Sequence, residues 1–479
     1  MKIKNFSLFV LIILIVCCPS RAQDTTLTSP CDCKETFKEI IVKLEANYIG
    51  IPLGQLPEEK ARYEERKTLF REKAKTITPE HCTQFLSAFL NYFDDGHLFV
   101  FERPKYTDSQ RDSIKQSIKK NKVSLPTLKH YVDNNAATKT DPFLGIWTDG
   151  TSKFVVTKKN DSYYVYILES ILDSVEPGQL KAKLNFEDNH YIGSFYTNNY
   201  VPWFIEGGIY KEGTLFVASS IFWQKVADPL DVITLDVDTN FKLPTIKHIN
   251  NETVLITIPS FSVDFTLFND IINAHEKELK KATTIIIDIR GNRGGNGVYF
   301  NLIEFFATND MKGSQGLVLA SEDNLKYFEH SAKNYSSKVY TPVVDSIIKN
   351  MGKIVDGPLY PGVAYDIKKT AIANVAILTD GACMSAAESF ILHAKASSNK
   401  VTTFGSPTDG VIDYTSVNSL PLKNSGTQNI YFGYPTSTLH KEIPNNGYNS
   451  TGIIPDIEID TTSTNKIQYI VDYYKRNKK

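Results

Sequence analysis

Apolar side chains in the first part of the chain recur at helical spacing. Between residues 34 and 92 they return every three or four positions, as at Phe37, Ile40 and Leu44. This period predicts amphipathic helices, because it aligns the apolar side chains in one stripe along a helix. A polar, lysine-rich stretch at residues 103–139 follows, and we predict it to be helix and linker.

The pattern changes at Asp141. From residue 143 to residue 232, short aromatic and β-branched runs, such as 163–167 and 190–196, are broken by Gly, Asn and Asp. Short runs between turn-forming residues are typical of antiparallel strands. An antiparallel β domain is therefore predicted for this part of the chain.

A third pattern begins near residue 243. Three continuous apolar runs, at 254–258, 283–289 and 375–379, are typical of strands buried on both faces of a sheet. Helical patterns occur at 266–281, 298–307 and 386–397. Strands of this kind alternating with helices predict an α/β domain.

The N-terminus has the features of an export signal. Two lysines precede an apolar stretch at residues 6–16, and Ser20 and Ala22 form a small-x-small cleavage site. Cleavage after Ala22 would deliver the protein to the periplasm, the cell envelope or the medium of a bacterium. A retained membrane anchor, or a lipid on Cys17 or Cys18, is the alternative. The predicted organisation is then a signal peptide at 1–22, a helical region at 23–140, a β-rich domain at 141–240 and an α/β domain at 241–479.

Four cysteines remain after the predicted cleavage site, and they are Cys31, Cys33, Cys82 and Cys383. In an oxidising compartment Cys82 would pair with Cys31 or Cys33. A metal bound by the C-x-C pair is the alternative, although no second pair has zinc-like spacing. We favour the disulfide.

The composition excludes few classes of protein or binding partner. Hydrophobic residues make up 42% and charged residues 22%, which is ordinary for a soluble globular protein. The formal net charge of −1 gives no overall field that would favour nucleic acid or an anionic membrane. A peptide or small-molecule partner fits this balance.

A glycine-rich segment follows the second buried strand. Residues 283–297 read TTIIIDIRGNRGGNG, so a strand runs into a loop that contains Gly294 and Gly295. Backbone N–H groups in such a loop can point at one developing negative charge, as an oxyanion hole requires. A simple tight turn and a phosphate-binding loop are the alternatives. The spacing matches neither the dinucleotide fingerprint nor the phosphate loop with its Lys.

The third buried strand leads to a serine. Ser385 stands at the start of the helical pattern at 386–397, where free N–H groups and the helix dipole stabilise negative charge. That position suits a nucleophile and its tetrahedral intermediate. However, Ser385 and Glu388 also form a capping-box pattern, which is a structural role. Cys383 is a rival nucleophile in the preceding turn.

A histidine lies far upstream, in the segment DDGH at residues 94–97. Imidazole has the unperturbed pKa that best suits a general base near neutral pH. A structural role is the alternative for His97, since the chain has nine histidines.

Together these segments resemble the tail-specific (C-terminal processing) peptidases, a branch of the serine peptidases that includes the tricorn core protease. In that family a strand ending Asp-x-Arg-x-Asn-x-Gly-Gly supplies the oxyanion loop, and residues 288–295 read DIRGNRGG. The family nucleophile lies in a Ser-Ala-Ser-Ala-Ser-Glu-like run, which is CMSAAE at 383–388. The segments GSPTDG at 405–410 and GIIPD at 452–456 are similar to two further family landmarks.

The resemblance implies a fold and a catalytic pair. The fold is an α/β catalytic domain with a ClpP/crotonase-like ββα core, an N-terminal helical region and an inserted antiparallel β domain. One branch of the family uses a Ser–Lys dyad, but Val411 and Ile412 occupy the positions where its Lys would stand. The tricorn-like branch takes its base from an upstream Asp-Gly-His segment. The implied nucleophile is therefore Ser385 and the implied base His97.

The group that orients the base stays open at this stage. The tricorn-like branch has a Glu three residues before the Gly-x-x-Pro-Asp glycine, and here that position is Asn449. An Asn can hold an imidazole tautomer by hydrogen bonding. Asp413 and Glu442 are the other candidates. No PDZ-like segment is recognisable between His97 and the α/β domain, so selection of free C-termini is not implied.

The implied function is that of an exported serine endopeptidase that acts on peptides or proteins through an acyl-enzyme. The expected site residues are Ser385, His97, Gly294, Gly295, Ala386, Glu388 and Asn449. In this expected site the loop glycines and Ala386 supply N–H groups that bind the oxyanion, and Glu388 supports the start of the helix. No metal, organic cofactor or nucleic acid is expected. The alternative is a weak or inactive relative that binds peptides or small apolar ligands in the cell envelope.

Overall fold

The structure, a computed structural model, describes residues 29–54, 57–133, 141–187, 190–211, 214–217, 221–226, 243–459 and 465–477. The predicted signal peptide lies outside the described residues, and so does the end of the predicted β domain. Among the described residues, no helix combines the length and the apolar character that crossing a membrane requires.

The first part of the chain is helical, as its apolar period predicts. Its elements are α1 (Cys33–Asn47), α2 (Gly50–Gly54), α3 (Pro57–Lys73), α4 (Cys82–Leu90), the strand β1 (Phe99–Glu102), α5 (Asp108–Lys120) and α6 (Leu125–Asp133). A disulfide joins Cys33 to Cys82, the first residues of α1 and α4, and Cys31 is a buried free thiol. Of the two predicted pairings, the structure therefore has the one with Cys33.

The β region forms a closed antiparallel barrel. Its strands are β2 (Gly145–Thr148), β3 (Ser152–Lys159), β4 (Ser162–Ser170), β5 (Leu180–Glu187), β6 (His190–Tyr196), β7 (Pro202–Lys211), β8 (Thr214–Val217) and β9 (Ile221–Lys225). Pairing of β2 with β9 closes the barrel, and closure leaves no open sheet edge. Large side chains fill the interior, among them Trp147, Phe154 and Trp223, each fully buried.

The remaining chain alternates strands and helices. Its elements are β10 (Thr245–His248), β11 (Thr253–Thr257), α7 (Phe265–Ala274), α8 (Glu276–Lys281), β12 (Thr284–Asp288), α9 (Phe300–Ile303), β13 (Ser314–Leu319), α10 (Glu322–Asn334), α11 (Ser337–Lys349), β14 (Ile354–Tyr360), β15 (Asn374–Thr379), α12 (Ala386–Ser397), β16 (Val401–Gly405), β17 (Tyr414–Pro421), β18 (Ile430–Thr438), β19 (Ile457–Glu458) and α13 (Lys466–Arg476). The mixed α/β content expected from the sequence is confirmed.

One sheet of this region has the order β10-β11-β12-β15-β16-β19. All of its pairs are parallel except β10 with β11. The predicted strands at 254–258, 283–289 and 375–379 are its central strands β11, β12 and β15. Apolar side chains of β12 and β15 are buried on both faces, whereas Leu255 on one face of β11 is partly buried. Since parallel strands end at the same edge, the turns after β12 and β15 lie side by side.

The second sheet is antiparallel and its pattern was not recognised in the sequence. It has the order β1-β18-β13-β14, with β17 also paired to β18. The pairing of β1 with β18 aligns Phe99 with Gly433, although the two residues are far apart in the chain. This contact brings the end of the helical region, including His97, onto the α/β part.

One predicted helix is mostly absent. Of the pattern at 298–307, only Phe300–Ile303 is α-helical, and turns follow it. Val298, Leu302 and Phe306 are nevertheless fully buried in the core of the α/β part. Burial of a short compact segment therefore produced the apolar period that favoured a longer helix.

The close approach of β13 to β18 predicts the effect of one substitution. A Cβ at Gly316 would lie 1.9 Å from the backbone oxygen of Thr438, so the strands must separate to admit it. We expect Gly316→Ala to lower the free energy of unfolding by about 1–3 kcal/mol, as overpacking does in buried positions. The loss of stability is measured by thermal unfolding. Gly54→Ala is the matched control, because a Cβ there has no neighbour within 4 Å. Equal unfolding temperatures for the two variants would contradict the predicted strand contact.

Candidate active site

Ser385 stands in a strained turn between β15 and α12. Its φ of 57° and ψ of −119° lie outside the regions that residues with a side chain ordinarily occupy. Its N–H donates to the carbonyl of Val411 at 3.1 Å and to the carboxylate of Glu388 at 3.0 Å. These contacts hold the strained backbone in place, and such strain is typical of functional positions.

The Glu388 carboxylate joins the Ser385 turn to the segment after β16. It accepts from the hydroxyl of Thr408 at 2.5 Å and from the N–H groups of Gly410 and Val411, each at 2.9 Å. Burial raises the pKa of Glu388 to about 7, against the effect of these four donors. The expected support of the helix entrance by Glu388 is consistent with these contacts.

His97 contacts Ser385 directly. Its Nε2 lies 3.0 Å from the Ser385 Oγ, and both residues are only 6% exposed. Its Nδ1 lies 2.6 Å from the carbonyl oxygen of Tyr414, which can only accept a hydrogen bond. Nδ1 therefore carries the proton in the neutral ring, and Nε2 presents a lone pair to the serine hydroxyl. Burial lowers the pKa of His97 to about 4, while the bond to Tyr414 acts against this shift.

The turn that carries His97 is fixed by a buried carboxylate. Asp95 accepts from the backbone N–H of His97 at 2.9 Å and from the hydroxyl of Tyr48 at 2.8 Å. Burial raises the pKa of Asp95 to about 7. Tyr48 and Asp95 were not among the predicted site residues. The Asp-Gly-His motif contained a signal for Asp95, but nothing in the sequence indicated the hydroxyl of Tyr48.

The partner of the His97 Nδ1 differs from all three sequence candidates. Asn449 donates from Nδ2 to the carbonyl of Asp94 at 3.4 Å, so it contacts the histidine turn and not the ring. Asp413 accepts from the N–H of Tyr448 at 2.6 Å and from that of Asn449 at 3.0 Å. Glu442 is exposed and accepts from Asn446. The sequence could not indicate this partner, because every residue has a backbone carbonyl and any of them can orient an imidazole.

The glycine loop lies against the nucleophile turn. A Cβ at Gly294 would lie 2.9 Å from the Ser385 Cβ, and the Gly294 φ is +90°, so only glycine fits this approach. Its N–H already donates to the Asn292 side chain at 2.8 Å, and Gly294 is thus a poor choice of oxyanion donor. The β-bridge between Gly295 and Phe261 is made by the N–H groups of Phe261 and Asn296. The N–H of Gly295 therefore takes no part in this bridge. Ala386 is the first residue of α12, where an N–H has no partner within the helix.

Side-chain contacts hold the loop rigidly. Asp288 binds the guanidinium of Arg290 through two hydrogen bonds of 2.9 Å. Asn292 donates to the carbonyl of Ile258 at 3.0 Å, and its own carbonyl accepts from Met384 at 3.2 Å. The loop and the serine turn are therefore one connected unit.

Cys383 does not have the properties of a nucleophile. Its side chain is fully buried and donates from Sγ to the carbonyl of Ile289 at 3.0 Å. Burial raises the pKa of the thiol well above its usual range, which disfavours the reactive thiolate.

In the part of the chain that the structure describes, no group of three or more His, Cys, Asp or Glu side chains is arranged to hold a metal ion. The chemistry available to the site comes from the serine, the imidazole and the backbone N–H groups. A serine hydroxyl that faces the lone pair of a neutral imidazole, beside free N–H groups, is the arrangement that serine hydrolases use for acyl transfer.

The α/β part of the sequence matches one family model. Residues 252–459 match the family model described as Peptidase family S41. The resemblance to tail-specific serine peptidases is confirmed for this part of the chain. Among curated proteins the sequence has no match.

Solved structures of peptidases resemble the chain weakly. Mature CPAF complexed with lactacystin is 12% identical, with a TM-score of 0.48 over 93% of this chain and 97% of that one. A putative peptidase from Parabacteroides merdae is 14% identical, with a TM-score of 0.41 over 91% of each chain. The tricorn protease is 11% identical, with a TM-score of 0.40 over 92% of this chain and 36% of that one. Similarity at this level carries no argument about activity or substrate.

The burial of His97 predicts its titration. An exposed imidazole titrates near pH 6.5, but we expect His97 to stay neutral until the pH falls toward about 4. The unfolded chain takes up this proton first, so the contribution of His97 to stability is complete above pH 6.5 and lost as the pH falls to about 4. NMR of ¹³C-labelled histidine measures the midpoint, and His97→Gln assigns the signal. A midpoint at or above 6.5 would contradict the prediction.

The strain at Ser385 predicts a difference between two variants that both lack the hydroxyl. Glycine adopts the observed backbone angles freely, whereas alanine keeps the strain of about 1–3 kcal/mol. The greater freedom of glycine in the unfolded chain offsets about 0.5–1 kcal/mol of this gain. We therefore expect Ser385→Gly to unfold at a higher temperature than Ser385→Ala. If the alanine variant is the more stable one, the turn is not strained in solution.

Proposed function

We propose that the protein is a serine endopeptidase that hydrolyses peptide bonds through an acyl-enzyme on Ser385, with His97 as general base. One observation carries the proposal. The Nε2 of His97 lies 3.0 Å from the Ser385 Oγ while Nδ1 lies 2.6 Å from a carbonyl oxygen, so the neutral ring presents its Nε2 lone pair to the hydroxyl. The match to a peptidase family over residues 252–459 supports peptides as the substrate class.

The first half of the reaction forms the ester. His97 accepts the hydroxyl proton at Nε2 as the Ser385 Oγ attacks the carbonyl carbon of the substrate. The N–H groups of Gly295 and Ala386 are the proposed donors to the resulting oxyanion. Losing one such donor typically costs about 100-fold in rate or more. His97 then gives the proton to the leaving amine, and the C–N bond breaks to leave an acyl ester on Ser385.

The second half releases the acyl group. A water molecule gives a proton to the Nε2 of His97 and attacks the ester carbonyl. The new tetrahedral intermediate collapses, the proton returns to the Ser385 Oγ, and the product leaves with a free carboxylate. The serine and histidine are thereby restored, and the reaction needs no oxidant, reductant or cofactor.

The surroundings of His97 favour slow chemistry. Protonation of the ring during the reaction creates a buried cation, and burial lowers the pKa of His97 to about 4. The Tyr414 carbonyl contributes a dipole to the ring where relatives of the tricorn-like branch have a carboxylate. A dipole stabilises an imidazolium less than a full negative charge does, so we propose a low turnover.

Export is part of the proposal. The disulfide between Cys33 and Cys82 supports an oxidising compartment, because disulfides seldom persist in the cytosol. Together with the signal-like residues 1–22, it favours the periplasm, the cell envelope or secretion. The ClpP/crotonase-like core remains a prediction, and specificity for protein C-termini is not proposed.

A fluorophosphonate reagent tests the catalytic pair. We expect the wild type to be labelled, Ser385→Ala to remain unlabelled and His97→Gln to react at least about 100-fold more slowly, because the base is lost. His393→Gln is the matched control. His393 is also a largely buried histidine whose pKa is lowered to about 4 by burial, but its Nδ1 contacts the Tyr299 hydroxyl and it lies outside the pair.

Two results would contradict the proposal. Labelling of the wild type no faster than of Ser385→Ala would reject the nucleophile and favour the alternative of a peptide-binding protein. Equal losses in the His97 and His393 variants would show that the effect is structural and not specific to the base.

A further inference from the structure

A polar pocket lies in the seam between α5 and the barrel, apart from the proposed active site. We call it the seam pocket, and it has a volume of about 350 Å³. Its lining consists of Arg111, Asp112, Lys115, Ser174, Asn198, Asn199 and Tyr200. None of these residues belongs to the segments that hold Ser385 or His97, so the proposed peptidase mechanism does not use this pocket.

The helix side of the seam pocket carries both cations and carboxylates. The Arg111 guanidinium pairs with Asp108 in the preceding turn of the helix. Lys115 lies with its Nζ 5.4 Å from the centre of the Tyr200 ring, and among the described residues no carboxylate forms an ion pair with it. Asp112 also lines the pocket and balances part of this charge. Asp108 and Asp112 together balance Arg111 and Lys115, so the helix side has two cations but no net charge.

A further cation, which gives the pocket an excess of about one positive charge, lies behind the barrel side. Lys181 on β5 is 4% exposed, and its Nζ donates to the Asn198 Oδ1 at 2.7 Å and lies 4.5 Å from the centre of the Phe195 ring. No ion pair joins Lys181 to a carboxylate within the described residues, and Asp149 acts on it only from a greater distance. Burial lowers the pKa of Lys181 to about 8. A buried ammonium without a counter-ion is costly, so an anion bound near Lys181 would be stabilising.

Asn198 connects this buried charge to the pocket. Its Oδ1 accepts from Lys181, which leaves the two N–H bonds of its amide as donors. A cation bound to the oxygen polarises the amide and strengthens those donors. A ligand in the pocket would therefore meet part of the Lys181 charge through Asn198.

The backbone beside Asn198 is strained. Tyr200 has a φ of +63°, which is an outlier for a bulky residue, and its hydroxyl donates to the carbonyl of Ser174 at 2.7 Å. The contact fixes the ring as a wall of the pocket. Backbone strain that is held in place by such contacts is typical of ligand-binding positions. It is an observation separate from the charges of Lys115 and Lys181.

We propose that the seam pocket is a binding site for a small carboxylate ligand, about the size of an amino acid or a dipeptide. Lys115, the Asn198 amide and the Ser174 hydroxyl supply donors for one carboxylate group. The excess of about one positive charge matches one negative charge, and the volume of about 350 Å³ falls in the range of small-molecule sites. The proposal does not depend on peptidase activity.

Calorimetric titration with acetyl-alanyl-alanine and with its C-terminal amide tests the proposal. The full chain carries Ser385→Ala, so that hydrolysis cannot occur. We expect the acid to bind and the amide to bind at least about tenfold more weakly, since only the acid offers a charged acceptor. Absence of binding, equal affinities, or tighter binding of inorganic phosphate than of the acid would overturn the assignment.

Variants locate the site. We expect Lys115→Gln and Lys181→Gln each to weaken binding of the acid by about tenfold. Lys119→Gln is the control on the same helix, because Lys119 pairs with Glu176 and does not line the pocket. Lys115 is only partly buried, so its variant keeps the test valid if Lys181→Gln fails to fold. Undiminished affinity in a folded Lys115→Gln variant would overturn the proposal.

Discussion

The hydrogen bond from the His97 Nδ1 to the Tyr414 carbonyl is the interaction on which the proposed chemistry depends. It leaves Nε2 as the ring atom that can take a proton, and that atom lies 3.0 Å from the Ser385 Oγ. This hydrogen bond joins residues that are far apart in the sequence, because His97 precedes β1 and Tyr414 is the first residue of β17. Both strands pair with β18, so this strand brings the Tyr414 carbonyl next to the imidazole.

The buried carboxylates of the site contact backbone N–H groups and not the imidazole. Asp95 binds the N–H of His97, Asp413 binds those of Tyr448 and Asn449, and Glu388 binds that of Ser385 among others. Each carboxylate therefore fixes a turn of the site. Rigid turns position the reacting groups before the substrate arrives, which reduces the entropy lost on reaching the transition state. The same arrangement leaves the ring without a full negative charge, and a proposed low turnover follows from it.

Much of the fold was readable from local patterns. The continuous apolar runs predicted β11, β12 and β15, because strands buried on both faces need apolar side chains on both. The helical period predicted α1 and α4 for the equivalent reason. The antiparallel sheet around β18 was missed, because several of its pairs, above all β1 with β18, join residues far apart in the sequence. The helix pattern at 298–307 was misleading, since burial alone can produce an apolar period.

For the site, the sequence by itself determined which chemical groups are available: Ser385 at a helix start, His97 in a tight turn, and glycines that permit close backbone approach. The tertiary structure decided which of these groups meet. It assigned the Nδ1 contact to the Tyr414 carbonyl in place of Asn449, Asp413 or Glu442, and it left the Gly294 N–H occupied by Asn292. The physical reason is that the sequence specifies which side chain each residue has, whereas every residue has the same backbone carbonyl and nearly every residue has the same N–H. Only folding determines which backbone groups are free and where they point.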